Sequence, residues 1–296
     1  MNEYPIVLAH GIARFDVLTQ RLKNDLKAIG VELEAADNDL NYFKDVARDL
    51  ARSGFDVFES SVSFSGDVEL RAKQLKTEIE KFLSNQPGQD KVHIIGHSMG
   101  GLDARHMIVS HGMAEKVASM TTIGTPHLGT SFADWGMKNG GSELIAAMSG
   151  VLDMGGFDDL ATEACRGFST AAEEAEAAND VVYRTYAGSQ PRGQVFGPLK
   201  GSWDIIHAAE GDNDGLVPVS SQRWVAELSD GNGKVKEIVQ KEFPLPVDHL
   251  NECGWWDIDQ IKLFDLIKGD IFETMLSYEQ AVRDVYKTIA ADVRQL

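Results

Sequence analysis

A chain of 296 residues that is 43% hydrophobic and 25% charged has ample material for a large core and none of the compositional marks of disorder. With 46 acidic against 28 basic residues its net charge is -18, a field that repels phosphate backbones and anionic membrane surfaces and so argues against nucleic acid as a partner. No run of eighteen apolar residues could span a bilayer as a transmembrane segment, and two cysteines, Cys165 and Cys253, allow at most one intramolecular disulfide, with two buried thiols the alternative.

The length suits one domain over residues 1–296, because α/β enzymes often run this long as one unit. Met1-Asn2-Glu3-Tyr4 leads straight into a strand-like run, without the basic, apolar and cleavage segments of a secretory leader. The expectation is cytoplasmic residence or export by a signal-independent route.

In chain order, Ile6-Val7-Leu8-Ala9 reads as a short buried strand, residues 40–53 as a helix closed by Gly54, and residues 56–60 as a second strand. Between 69 and 83, Ala72, Leu75, Ile79 and Phe82 recur at helical spacing among charges, the pattern of a surface helix packed on a sheet. Residues 92–95 form a strand, 102–110 a helix and 117–123 a strand. The stretch 131–180 breaks the rhythm, rich in Gly and Ala with scattered Leu, Met and Trp, and reads as a helical lid or cap insertion hinged at Gly140-Gly141 and Gly155-Gly156. The sheet resumes at 181–186 and 236–240. A final helix starts at a capping box of Ser277 and Gln280 and turns Val282, Val285, Ile289 and Val293 to the core. Strands alternating with helices define the α/β class, with a mostly parallel central sheet flanked by helices.

Gly96-His97-Ser98-Met99-Gly100 matches GxSxG, whose glycines permit the tight strand-to-helix turn that lifts a serine hydroxyl above a sheet edge. Chance supplies about 0.1 such matches in a chain this long, so the context decides. The motif follows a β-branched strand and opens a helix, whose N-terminal N–H groups lie where an oxyanion would form. Ser98 is therefore the candidate nucleophile and Met99 one oxyanion donor.

Around this motif the chain resembles the bacterial triacylglycerol lipases of the Pseudomonas, Burkholderia and Proteus group, of the α/β-hydrolase superfamily. Tyr4-Pro5-Ile6-Val7-Leu8-Ala9-His10-Gly11 is similar to that family's first strand and oxyanion loop, and TTIGTPHLG at 121–129 to its segment after a later strand. Asn213-Asp214-Gly215-Leu216-Val217 resembles its acid motif and Asp248-His249-Leu250 its histidine motif. The resemblance implies the α/β-hydrolase fold, hydrolysis of acylglycerols or small esters with a lipid–water interface as a working surface, Ile12 as second oxyanion donor, and Arg71 as a brace for the oxyanion loop. It implies no cofactor for the chemistry and a structural calcium beside the histidine loop. There Asn251 stands where an aspartate is usual, with Asp204, Asp257 and Asp259 as substitutes.

A serine hydroxyl needs a histidine base and an acid that fixes the base's tautomer, in the chain order Ser, acid, His. Of eight histidines, His249 alone follows a late strand and a plausible acid; His127 reads as structural and His207 as a loop residue ahead of the acid. Asp212, Asp214 and Asp248 compete for the acid, and the family-like turn favours Asp214. The same machinery serves an esterase or acyltransferase for short or soluble acyl groups. A silent binding protein of this fold would not be expected to keep all three residue types in order.

Overall fold

The computed structural model describes residues 4–12, 42–139, 144, 155–256, 260 and 271–296. Its strands are β1 (Ile6–Ala9), β2 (Val57–Glu59), β3 (Val92–His97), β4 (Val117–Ile123), β5 (Val182–Ala187), β6 (Glu227–Ser229), β7 (Val235–Glu237) and β8 (Val239–Glu242). The helices are α1 (Val46–Arg52), α2 (Val68–Ser84), α3 (Met99–Ser110), α4 (Ser131–Lys138), α5 (Thr162–Ala178), α6 (Lys200–Glu210), α7 (Val219–Arg223) and α8 (Ile271–Val293).

Six strands pair in the order β2-β1-β3-β4-β5-β8, every pair parallel. Side chains alternate across a strand, and here both faces are covered. In β1, Ile6 and Leu8 join a core with α1 and α8, while Val7 and Ala9 join another with α2 and α3. In β3, Ile95 belongs to the first core and Val92 and Ile94 to the second. The short, wholly apolar β1 is what this double burial requires.

From β1 the chain steps outward to β2, then returns past β1 to β3. The order therefore reverses between β1 and β3, which opens a crevice beyond their carboxyl ends where ligands bind in open α/β sheets. Residues 10–12 leave β1 there and Ser98 leaves β3. The helices that fix this corner are well anchored. Asp67 caps α2 by accepting the Leu70 N–H at 2.7 Å. Buried Arg105 on α3 makes a two-pronged bond to Glu176 on α5, at 2.8 and 2.9 Å, and its guanidinium lies 3.9 Å from the centre of the Trp224 ring.

Two sequence expectations change. The strand expected at 236–240 divides at buried Ile238: Val235–Glu237 pairs antiparallel with β6 in a hairpin, and Val239–Glu242 pairs with β5 at the edge of the sheet. Ile238 itself donates its N–H to Ala226 O at 2.8 Å, so the chain changes partners across one residue. The capping box at Ser277 does not form, because α8 already runs from Ile271 and the Ser277 hydroxyl bonds back to Thr274 O at 2.8 Å. Between β4 and β5 lie α4, the single turn Phe157–Leu160 and α5. Of the apolar residues expected to line a lid, Ile145, Met148, Val151, Leu152 and Met154, like the hinge pair Gly140-Gly141, lie outside the described residues. Cys165 and Cys253 are both buried and unpaired thiols.

Candidate active site

The GxSxG turn folds as its sterics require. Ser98, between the last residue of β3 and the first of α3, has φ 56 and ψ -132, a conformation that non-glycine residues seldom adopt. A β-carbon at Gly100 would stand 2.2 Å from Ala9 O, and one at Gly96 would stand 2.9 Å from the Gly101 Cα, so neither position admits a larger residue. The serine backbone is clamped from β4, its N–H donating to Ile123 O at 2.9 Å and its carbonyl accepting the Thr125 hydroxyl at 2.9 Å. Met99 is the first residue of α3, whose opening N–H groups have no partner within the helix.

Asp214 sits in the turn after α6, its Oδ1 accepting N–H bonds from Leu216 at 2.8 Å and Val217 at 2.7 Å. Its Oδ2 lies 2.8 Å from Nδ1 of His249, which follows β8, and it also accepts from the Gln222 side chain at 3.2 Å. The His249 N–H donates to Asp214 O at 2.9 Å, so main chain and side chain join the same two loops. Asp248 faces the other way, its carboxylate accepting from the N–H groups of Phe196, Leu250 and Asn251 and from Gln260 Nε2. Burial outweighs those donors and pushes its pKa up to about 6. Of the three competing aspartates, Asp214 is the one that the structure bonds to His249.

Ser98 and His249 share a pocket of about 20 Å³ walled by Ile12, Phe132, Phe157 and Leu160. Arg71, fully buried, organises the loop that carries Ile12: its Nη2 donates to His10 O at 2.7 Å and its Nη1 to Ser63 O at 2.6 Å. Its counter-ion is Asp103 on α3, at 2.7 to 3.2 Å, whose carboxyl burial nevertheless lifts to about 6. Sequence reasoning missed Asp103 and Gln222. Asp103 left a signal, an acid at a helix position otherwise facing the core, whereas Gln222 left none. His127 is buried, 2.8 Å from the Thr122 hydroxyl and stacked on Trp224, and His207 stacks on Trp203 within α6. Neither touches His249.

The described members of the expected calcium set do not fit the ion. Asn251 Oδ1 accepts the Asp248 N–H at 3.0 Å, its Nδ2 donates to Trp255 O at 2.8 Å, and Asp204 is held by Arg192 at 2.5 and 2.7 Å. Calcium calls for six to eight free oxygens, and these are already taken. Asp257 and Asp259 lie outside the described residues. Among the described residues, His97, His249 and Glu252 lie close enough to share a metal. All three are buried, His97 Nε2 is bonded to Glu252, and His249 Nδ1 to Asp214, so the group is a hydrogen-bond network.

A crevice at the switch point of a parallel sheet, with a serine on a strained strand-to-helix turn and an acid–histidine pair from later loops, defines the α/β-hydrolase class. The family model described as "Putative serine esterase (DUF676)" matches residues 6–225, and the chain belongs to that family. It is a serine-type carboxylic ester hydrolase. The sequence is 28% identical over 252 residues to a triacylglycerol lipase of Vibrio cholerae, covering 74% of each chain. It is 26% identical over 278 residues to triacylglycerol lipase 2 of Saccharomyces cerevisiae, covering 85% of this chain and 80% of the other. The mature lipase of Bacillus licheniformis superposes with a TM-score of 0.59 at 19% identity, over 84% of this chain and 85% of that one.

Arg71→Ala should leave Asp103 buried without its counter-ion and free the oxyanion loop. About 3–5 kcal/mol of stability should be lost in urea unfolding, and Arg71→Lys, with a point charge in place of a fork, should recover only part of it. Unchanged stability in Arg71→Ala would remove the loop-bracing role.

Proposed function

We propose that this chain is a lipase of the acylglycerol-hydrolysing kind, akin to the Pseudomonas, Burkholderia and Proteus group, with Ser98 as nucleophile, His249 as base and Asp214 as acid. The observation that carries the reading is the 2.8 Å bond between Asp214 and His249, the histidine lining the same pocket as Ser98. The acylglycerol substrate is supported by the triacylglycerol lipase names of its relatives and by apolar walls that suit an acyl chain.

In this mechanism Asp214 holds the Nδ1 proton of His249 and stabilises the imidazolium, so Nε2 is free to take the Ser98 proton as the hydroxyl attacks the ester carbonyl. The N–H groups of Met99 and Ile12 bind the oxyanion, each donor worth about 3 kcal/mol in the transition state. His249 then protonates the leaving alcohol, and a water repeats the sequence on the acyl-enzyme. The chemistry draws on no metal or cofactor.

The segment 131–180 acts as a lid on this reading, since Phe132 from α4 and Phe157 and Leu160 from the turn before α5 form part of the acyl wall. The narrowness of the pocket favours a second reading, an esterase for short or soluble acyl groups.

Ser98→Ala should lower kcat by several orders of magnitude at unchanged melting temperature, and His249→Ala comparably, with the double variant little worse because the residues act as a unit. Asp214→Asn should lose about 10⁴-fold, whereas Asp212→Asn keeps most activity and Asp248→Asn loses stability, its four N–H donors having lost a charged acceptor. Near-normal turnover by folded Ser98→Ala would end the reading. Excess EDTA should move the melting temperature by less than about 3 °C, under ~1 kcal/mol for a chain this size; a larger drop would mean that calcium is held by other oxygens. Rates on p-nitrophenyl esters from acetate to palmitate should climb steeply where substrate passes from monomer to emulsion, as a lid exposing an apolar underside requires. Equal rates on dissolved and emulsified ester would favour the fixed cap and the esterase.

A further inference from the structure

Behind His249 lies a buried carboxyl with no part in the reaction as derived so far. Glu252 is fully buried three residues after His249. Two glycines hollow out its seat: a β-carbon at Gly124 would stand 2.1 Å from Oε2, and one at Gly188 would stand 2.1 Å from Oε1. Its main chain is tied down by the Tyr286 hydroxyl, which donates to Glu252 O at 2.9 Å. Yet among the described residues the carboxyl makes a single hydrogen bond, between Oε2 and Nε2 of His97 at 3.1 Å, and Oε1 has no partner. Beyond it, His97 Nδ1 lies 2.6 Å from the Tyr42 hydroxyl, which in turn hydrogen-bonds to the backbone of Gly11, the residue before Ile12. The His97 ring packs 4.6 Å from the His249 ring, and Glu252 Oε2 is 3.9 Å from His249 Nδ1.

We propose that Glu252 is a neutral carboxylic acid that positions the reaction centre through His97 and Tyr42, one polar chain holding the back of the base and the oxyanion loop in fixed relation. This rests on the triad reading above. The protonation state follows from the contacts. A carboxylate with one bare oxygen, one hydrogen bond and, among the described residues, no permanent cation against it would be severely destabilised at this depth, and Asp214 and Asp248 add repulsion that raises its pKa further. The Tyr42 oxygen accepts the Gly11 N–H and donates its own proton to His97 Nδ1. His97 then carries its proton on Nε2, facing the His249 carbonyl and Glu252 Oε2, and donates it there. Burial likewise keeps His97 neutral. The loop contact is tight, because a β-carbon at Gly11 would stand 2.5 Å from the Tyr42 oxygen and 2.7 Å from the Ser98 β-carbon. A shift of Tyr42 therefore moves the backbone beside the nucleophile.

The test is steady-state hydrolysis of p-nitrophenyl butyrate by wild type, Glu252→Gln, Glu252→Met, Tyr42→Phe and the Glu252→Met/Tyr42→Phe double variant, with Ser98→Ala as the blank and melting temperatures measured alongside. A glutamine keeps the size and a neutral acceptor for His97 Nε2–H, so Glu252→Gln should retain kcat within about threefold. Glu252→Met and Tyr42→Phe should each lose about 10- to 100-fold in kcat at nearly constant KM, and the double variant should be no worse than the poorer single one. Affinity for an alkyl boronic acid, which mimics the tetrahedral adduct, should fall in step with kcat. Glu252→Gln as impaired as Glu252→Met would mean that the charge matters and would overturn the proposal, as would losses that multiply. If Glu252→Met does not fold, wild-type kcat in Tyr42→Phe alone is enough to overturn it. An active Ser98→Ala blank would instead sink the triad reading, so the two failures are told apart.

Discussion

The backbone at Ser98 is held in a conformation that an L-amino acid adopts only under constraint, and the rest of the corner follows from that constraint. To hold φ at 56 the turn must be clamped from β4, through Ile123 O and the Thr125 hydroxyl. To let α3 begin at once, β1 must approach so closely that Gly100 has no room for a methyl group. That approach puts Gly11 and Ile12 beside the serine, and Arg71 with Asp103 stitches the same loop to α2 and α3. The strain, of order 1–3 kcal/mol, persists because so many neighbours over-determine it.

Charge in this molecule is divided between a strongly acidic whole and an interior in which buried cations are paired. Arg71 meets Asp103 and Arg105 meets Glu176, both with forked geometry and both wholly buried. Such pairs contribute little net stability compared with apolar packing, yet breaking one is severe. They work here as positional pins: one fixes the loop that follows β1, and the other fixes α5 to α3. The carboxyls near His249 divide by environment. Asp214 has backbone donors and a histidine, while Asp248 and Glu252 are lifted by burial.

Much of this was legible in the sequence, because the informative features are local. Ile6–Ala9 and Val117–Ile123 are the strands expected from their apolar runs, and the GxSxG turn announces its own geometry through two glycines. Asp214 and His249, 35 residues apart, are brought to 2.8 Å as the family-like turns implied. What was hidden depends on contacts distant in sequence. Asp103 and Arg71 are 32 residues apart, and His97 and Glu252 are 155 apart. In neither pair does the local sequence identify the partner. Ser277 failed as a cap for a related reason: Ser, Thr and Gln satisfy the motif inside a helix as readily as at its start, and only tertiary packing decides where the helix begins.

The pocket beside Ser98 is narrow, about 20 Å³, and the apolar walls among the described residues leave little room for an acyl chain. A chain that enters must open its own room by displacing Phe132, Phe157 and Leu160, side chains that are core residues in the resting state. Selectivity for chain length is then set less by the depth of a preformed slot than by the stiffness of its walls. Each added methylene gains about 0.8 kcal/mol of transfer free energy and works against packing already as dense as an organic crystal. On the proposed lipase reading, the preferred substrate is the one at which those two gradients balance, which makes acyl preference an elastic property of these walls and open to tuning by substitutions that never touch the substrate.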